Sequence, residues 1–167
     1  QELAVKAFQG LTHERENPDF PAFTDSLAPL IEAQKLACVL AQFPHSFHPS
    51  PPNRAYLEQL RTETGRLPLV VEFRDSAWLS PQTFQQLEAL QLGFCCVDEP
   101  RLNGLLPPVA RVTGPVAYVR FHGRNAAKWW EHEQAWERYD YTYADEELRE
   151  WVPKIRELDE TAPVTLV

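Results

Sequence analysis

Six short apolar runs punctuate the chain, at residues 3–7, 38–43, 69–73, 94–97, 116–121 and 164–167. They are nearly continuous rather than alternating, as parallel strands covered on both faces are. Helical patterns fall between them at 23–35, 53–64, 81–92 and 145–158. Asn53 and Ser80 suit N-caps, Pro81 the first helical position, and Gly65 and Gly93 the C-terminal caps. Phe84, Leu87 and Leu90 recur every third residue as an apolar stripe. Pro153 lacks an amide hydrogen and is expected to kink or divide the last helix. This rhythm of strand, helix and strand predicts an α/β domain, either a barrel or a doubly wound sheet.

Side chains alternate across a strand, so parity sorts each run into two faces. Val70, Glu72 and Arg74 share one face, as do Tyr118, Arg120 and His122. Cys38, Leu40 and Gln42 share another, Phe94, Cys96 and Asp98 a fourth, and Ala4 and Lys6 a fifth. Each run keeps one face apolar or nearly so, while the other turns polar toward its C-terminal end. Gln42, Glu72, Arg74, Asp98, Arg120 and His122 are therefore expected to converge where the strands of a β/α barrel finish, the end that holds active sites. His13 follows the first run and reaches the same rim. The alternative is a set of interior ion pairs. Leu or Val would fill that space more easily, so repetition at one end of several strands points to a site.

Arg74, Arg120 and Arg124 have the forked donors that hold phosphate or carboxylate, with Gln42 and Tyr118 as further substrate contacts. Glu72 or Asp98 suits a base, and His13 or His122 an acid or base near neutral pH. His13, Glu72, Asp98 and His122 are also the side chains that a divalent metal would use. Neighbouring guanidinium groups oppose a cation and favour an anion. The expectation is no cofactor, with a divalent metal as the alternative.

Composition narrows the class. A chain of 167 residues fits one domain, and 44% apolar with 24% charged residues is globular rather than disordered. Sixteen Lys and Arg against 24 Asp and Glu give a net charge of −8, which disfavours a broad nucleic-acid footprint but leaves room for a local basic pocket. No apolar run approaches the ~18 residues of a membrane span and no basic-then-apolar leader opens the chain, so a cytoplasmic protein without a membrane partner is expected. Cys38, Cys95 and Cys96 form no metal knuckle and read as reduced core residues, the adjacent pair facing opposite sides of a strand. His45 and His48 precede a proline-rich loop and read as surface rather than a metal pair. Trp129, Trp130, Trp136, Tyr139, Tyr141 and Tyr143 crowd the segment after His122, where they could close over a planar ligand; packing of a long connection is the preferred reading. The chain has no methionine and begins and ends in strand-like runs, which suggests part of a longer protein.

A series of blocks runs in order along the chain. Val5-Lys6-Ala7 and Leu11-Thr12-His13 come first, then Gln42-Phe43-Pro44, then Val71-Glu72-Phe73-Arg74 with Trp78. Val97-Asp98-Glu99-Pro100 and Tyr118-Val119-Arg120-Phe121-His122-Gly123-Arg124 follow, and Tyr139-Asp140-Tyr141 and Glu147-Leu148-Arg149-Glu150-Trp151 close the series. In this combination the chain resembles the YecE-like family, a widespread group known as a domain of unknown function. The resemblance implies a TIM-barrel-like (β/α) fold, with residues 1–167 one partial domain. It implies that a first Gly-Trp-containing strand with a further βα stretch, and a last helix after a Phe-Asn-Asn segment, lie outside the chain. It implies no reaction. The leading expectation is an enzyme acting on a phosphorylated or otherwise anionic small molecule, held by Arg74, Arg120 and Arg124, with Glu72, Asp98 and His122 moving protons. Broad likeness to endonuclease IV-type barrels makes a metal-dependent phosphoesterase or nucleic-acid-processing enzyme the second reading. A non-catalytic ligand- or partner-binding barrel is the third.

Overall fold

All six apolar runs form strands in the computed structural model, which describes residues 2–167. They are β1 (Leu3–Lys6), β2 (Leu36–Gln42), β3 (Leu69–Glu72), β4 (Gly93–Asp98), β5 (Val116–Phe121) and β6 (Val164–Leu166). Every neighbouring pair is parallel, and the strands lie side by side in sequence order. Residues of β3 and β4 are buried throughout, as strands covered on both faces must be.

The six strands do not form the expected TIM-like barrel. Among the described residues β1 pairs only with β2 and β6 only with β5, so the curled sheet has two edges there and forms a half-barrel. Closing a barrel of this kind requires the last strand to bond to the first, which takes about eight strands.

The helices show where local chemistry governs and where it does not. The pattern at 23–35 forms two short helices, α1 (Phe20–Ser26) and α2 (Ala28–Glu32), because Pro29 removes an amide donor near the second start. Between β2 and β3 lies α3 (Pro51–Thr64), capped by Ser50, whose hydroxyl accepts from the Asn53 amide. Asn53 is thus the third helical residue rather than the cap, since Pro51 and Pro52 occupy the first two positions without needing donors. Helix α4 (Pro81–Ala89) has the expected Ser80 cap and Pro81 start. Gly65 ends α3 at φ +59, whereas Gly93 opens β4 and leaves the left-handed turn to Gln91. A Cβ at Gly93 would come within 2.5 Å of the Val116 carbonyl oxygen, so this glycine serves strand packing. The last helical pattern divides into α5 (Asp145–Arg149) and α6 (Val152–Thr161), with Pro153 in the first turn of the second. No helix among the described residues is long and apolar enough to cross a membrane.

A column of rings supports one side of the strand ends. Phe43 stacks on Phe47 at 4.0 Å, Phe47 on Trp78 at 5.3 Å, and Trp78 on Phe73 at 4.4 Å. The buried Trp78 indole donates to the Phe47 carbonyl, which pins the turn carrying His45 and His48. All three cysteines are buried and unpaired.

Candidate functional site

In a parallel ladder, partnered residues share a face, so register identifies the inward side of every strand. Lys6 partners Leu40, and Gln42 partners Glu72. Val70 partners Gly93, which turns Cys95, Val97 and Glu99 inward with Glu72. Cys95 partners Tyr118 and Val97 partners Arg120, so β5 presents Tyr118, Arg120 and His122 to the same interior. Asp98 partners Phe121 and faces the other way.

Glu72 is the centre of the inward set. Its carboxylate is fully buried, with Arg74 Nε 3.0 Å from Oε1 and His122 Nε2 2.9 Å from the same oxygen. Arg120 donates to Oε2, and the Cys95 thiol lies 3.8 Å from it. Burial alone would raise the acid's pKa. The His122 hydrogen bond and the two guanidinium groups outweigh burial and bring it down to about 2. His122 is pulled the other way than a lone ion pair would predict. Burial lowers its pKa, Glu72 opposes this, and Arg74 and Arg120 add to the lowering. A neutral imidazole then donates its Nε2–H to Glu72 and keeps the Nδ1 lone pair.

Asp98 belongs to a separate centre. Arg124 clamps it through Nε and Nη2, each at 2.8 Å, while the Tyr143 hydroxyl donates at 2.8 Å and the Trp151 indole at 2.7 Å. Burial opposes ionisation, and these donors outweigh it to hold the Asp98 pKa low. Arg124 also reaches Glu147 at 3.3 Å and Glu150 at 2.8 Å. Its donors are therefore spent on carboxylates of its own chain, and this centre ties the connection after β5 to α5 and α6. The structure brings Glu72, Arg74, Arg120 and His122 together and does not bring Asp98 or Arg124 to them. Tyr118 lies one step deeper on the Arg120 face.

The inward set opens into a cleft at the C-terminal ends of the strands. One lobe, about 530 Å³, is walled by Lys6, Gln42, Arg74, Arg120 and His122 with Tyr139, Tyr141 and Tyr143. His13 stands on the neighbouring wall with Gln42 and Arg74; the Thr12 hydroxyl is 2.8 Å from its Nδ1. Burial lowers the pKa of His13, and Lys6, Arg15 and Arg74 lower it further. Among the described residues no group of three or more His, Cys, Asp or Glu side chains is placed to hold a metal ion. The carboxylates proposed for one, Glu72 and Asp98, sit in different centres with their oxygens engaged by cationic, indole and phenol donors.

The family model described as "Protein of unknown function DUF72" matches residues 2–167. The chain belongs to the DUF72 family. It is 36% identical over 177 residues to UPF0759 protein YunF of Bacillus subtilis (strain 168), covering 95% of this chain and 63% of that protein. It is similar to the crystal structure of a DUF72 family protein from Thermotoga maritima MSB8, with TM-score 0.93 and 41% identity over 99% of this chain and 65% of that one. A DUF72 family protein from Enterococcus faecalis V583 gives TM-score 0.89 and 30% identity, over 99% of this chain and 66% of that one. The chain thus spans less than two thirds of the length of the Bacillus relative.

Two members of this DUF72 site lie beyond the residues assigned from sequence. Lys6 shares the inward face that its parity with Ala4 already indicated. Burial and then Arg120 lower its pKa, against the pull of Glu72. Glu99 is fully buried, accepts from the Leu106 amide at 2.9 Å, and has its other oxygen 3.5 Å from Arg74 Nη1 without a hydrogen bond. At that separation Arg74 does not offset burial, and the Glu99 carboxyl is pushed up to about 7. Because its folded pKa lies above the ordinary value of 4.5, the group favours folding at low pH and loses that contribution as pH rises through 7. Glu99→Gln is expected to raise the melting temperature at pH 8 and to leave it unchanged at pH 5. Thermal melts of both proteins across that range check this. An equal shift at both pH values would assign the effect to packing.

Proposed function

We propose that this protein binds a phosphorylated or otherwise anionic small molecule in the cleft and carries out acid–base chemistry on it. One observation carries the reading. In a chain of net charge −8, the cleft is walled by Lys6, Arg74, Arg120 and Arg138 with three histidines, and no carboxylate among the described residues lines it. The nearby acids, Glu72 and Glu99, are buried behind the arginines. They orient the guanidinium groups and leave the surface cationic.

Arg120 is the anion anchor, because its side chain keeps 28% exposure while Glu72 fixes one end of its fork. Lys6 and Arg74 complete the cradle. His122 is the proton acceptor at Nδ1, aligned by Glu72 as a carboxylate aligns a catalytic imidazole. His13, on the neighbouring wall with Gln42 and Arg74, is the proton donor once a bound anion raises its lowered pKa. Asp98 and Arg124 hold the connection that carries the tyrosines of the cleft. We further read the YecE-like blocks, ordered from Val5 to Trp151, as the same lineage under another label.

Inorganic phosphate is the first probe, by titration calorimetry. Arg120→Ala is expected to weaken its binding at least about ten-fold, the scale of one charged hydrogen bond. The cations that lower the pKa of Lys6, His13 and His122 imply a second result. An arriving anion relieves that repulsion and raises all three pKa values, so binding takes up protons and affinity falls as pH rises. Calorimetry in buffers of different ionisation enthalpy measures the uptake. Absence of phosphate-type binding, or binding indifferent to Arg120, would overturn the reading.

A further inference from the structure

The cleft has a second lobe, whose aromatic wall acid–base chemistry leaves unused. It measures about 200 Å³ and is walled by Trp129, Trp130 and Tyr139 together with His13, Gln42 and His45. Gln42, Arg74 and Tyr139 wall both lobes, so the two are continuous. Trp129 is buried and meets Tyr139 edge-on at 6.0 Å, and Trp130 meets His45 edge-on at 5.4 Å. Trp130 and Tyr139 stay 54% and 45% exposed, so both rings are accessible from the cleft.

A cavity of about 150 Å³ accepts a benzene ring, so this lobe has room for one planar heterocycle. Its chemistry separates a base from a sugar. Among the described residues this wall has no carboxylate, the acceptor that would grip the paired hydroxyls of a sugar. A nucleobase offers a π-face for Trp130 and Tyr139 and a donor–acceptor edge for the Gln42 amide and the Arg138 guanidinium. A second observation agrees. Five buried side-chain atoms among the described residues lack a hydrogen-bond partner; two of them, His45 Nε2 and Arg138 Nε, belong to residues of this wall, while a third, Arg74 Nε, is held in its ion pair with Glu72. Such groups complete their bonding when the wall closes on a polar ligand.

We propose that the aromatic lobe is a nucleobase subsite, so that the anion of the cationic lobe is the phosphate of a nucleoside phosphate; this rests on the anion reading above. The test titrates the protein with the common nucleoside monophosphates, ribose phosphate, adenosine and inorganic phosphate, followed by calorimetry and tryptophan fluorescence. At least one nucleoside monophosphate is expected to bind about ten-fold or more tighter than ribose phosphate or inorganic phosphate, the scale of one base–aromatic stack. Trp130→Ala removes that gain and leaves inorganic phosphate binding unchanged. Ribose phosphate binding as tightly as every nucleotide overturns the base subsite while the anion site stands. Adenosine binding through Trp130 with no gain from phosphate keeps the lobe and overturns the anion reading. No binding by any of these compounds overturns both.

Discussion

Replacing Glu72 by alanine is expected to lower the unfolding free energy by about 3 kcal/mol at pH 7. The carboxylate is fully buried and answers Arg74, Arg120 and His122 at once. Removing it leaves the Arg74 and Arg120 charges facing each other across the buried space that the carboxylate filled. The estimate sits at the low end of the ~3–5 kcal/mol for breaking a buried pair, because Arg120 keeps 28% of its side-chain surface and can rehydrate. The pH dependence follows from the depressed pKa of about 2, against an ordinary 4.5. The unfolded chain takes up the proton first. The contribution is therefore complete above about 4.5 and is lost as pH falls toward 2. Denaturant unfolding of parent and variant at pH 7 and pH 3 should show the gap narrowing at the lower pH. A gap that stays constant would assign the loss to packing and remove Glu72 as the charge organiser of the cleft.

The second large effect is expected at Asp98. Asp98→Ala should cost about 3–5 kcal/mol. The side chain accepts two bonds from Arg124, one from Tyr143 and one from the fully buried Trp151, and the indole has no other hydrogen-bond partner. Leaving that donor alone costs about 1–3 kcal/mol by itself. The loss of the clamp also releases the connection between β5 and α5, so limited proteolysis should cut near residues 124–144 faster in the variant. Glu147 and Glu150 remain as partners for Arg124, which keeps the effect short of complete unfolding. Unchanged stability together with lost ligand binding or turnover would return Asp98 to the reacting centre. The two substitutions thus separate a carboxylate that shapes the cleft from one that holds the scaffold around it.

Local signals in the sequence determined a good deal. The six apolar runs became six parallel strands because continuous β-prone segments between helical patterns have one economical arrangement, a sheet covered on both faces. Pro153 divided the last helix for the reason a missing amide donor predicts. Parity placed Gln42, Glu72, Arg120 and His122 on inward faces, because each run has one apolar face against which polar residues stand out. The ordered motifs run through the same span, residues 2–167, that matches the DUF72 family.

Tertiary structure decided the rest. In β4 parity marked the Asp98 face as inward, but the strand is buried on both faces and Asp98 finds its partners Arg124, Tyr143 and Trp151 on the outer one. Only the register of Val70 against Gly93 shows that Glu99 turns toward the cleft and Asp98 toward Trp151. The exposed Trp130 and buried Trp129 are neighbours of the same type in a segment without regular structure, and only the packing of Tyr139 and His45 separates them. Whether the sheet closes is also a long-range matter. A strand's sequence specifies its faces through side-chain alternation, but which strands meet its edges depends on backbone bonds that any sequence can make, and here those bonds end at β1 and β6.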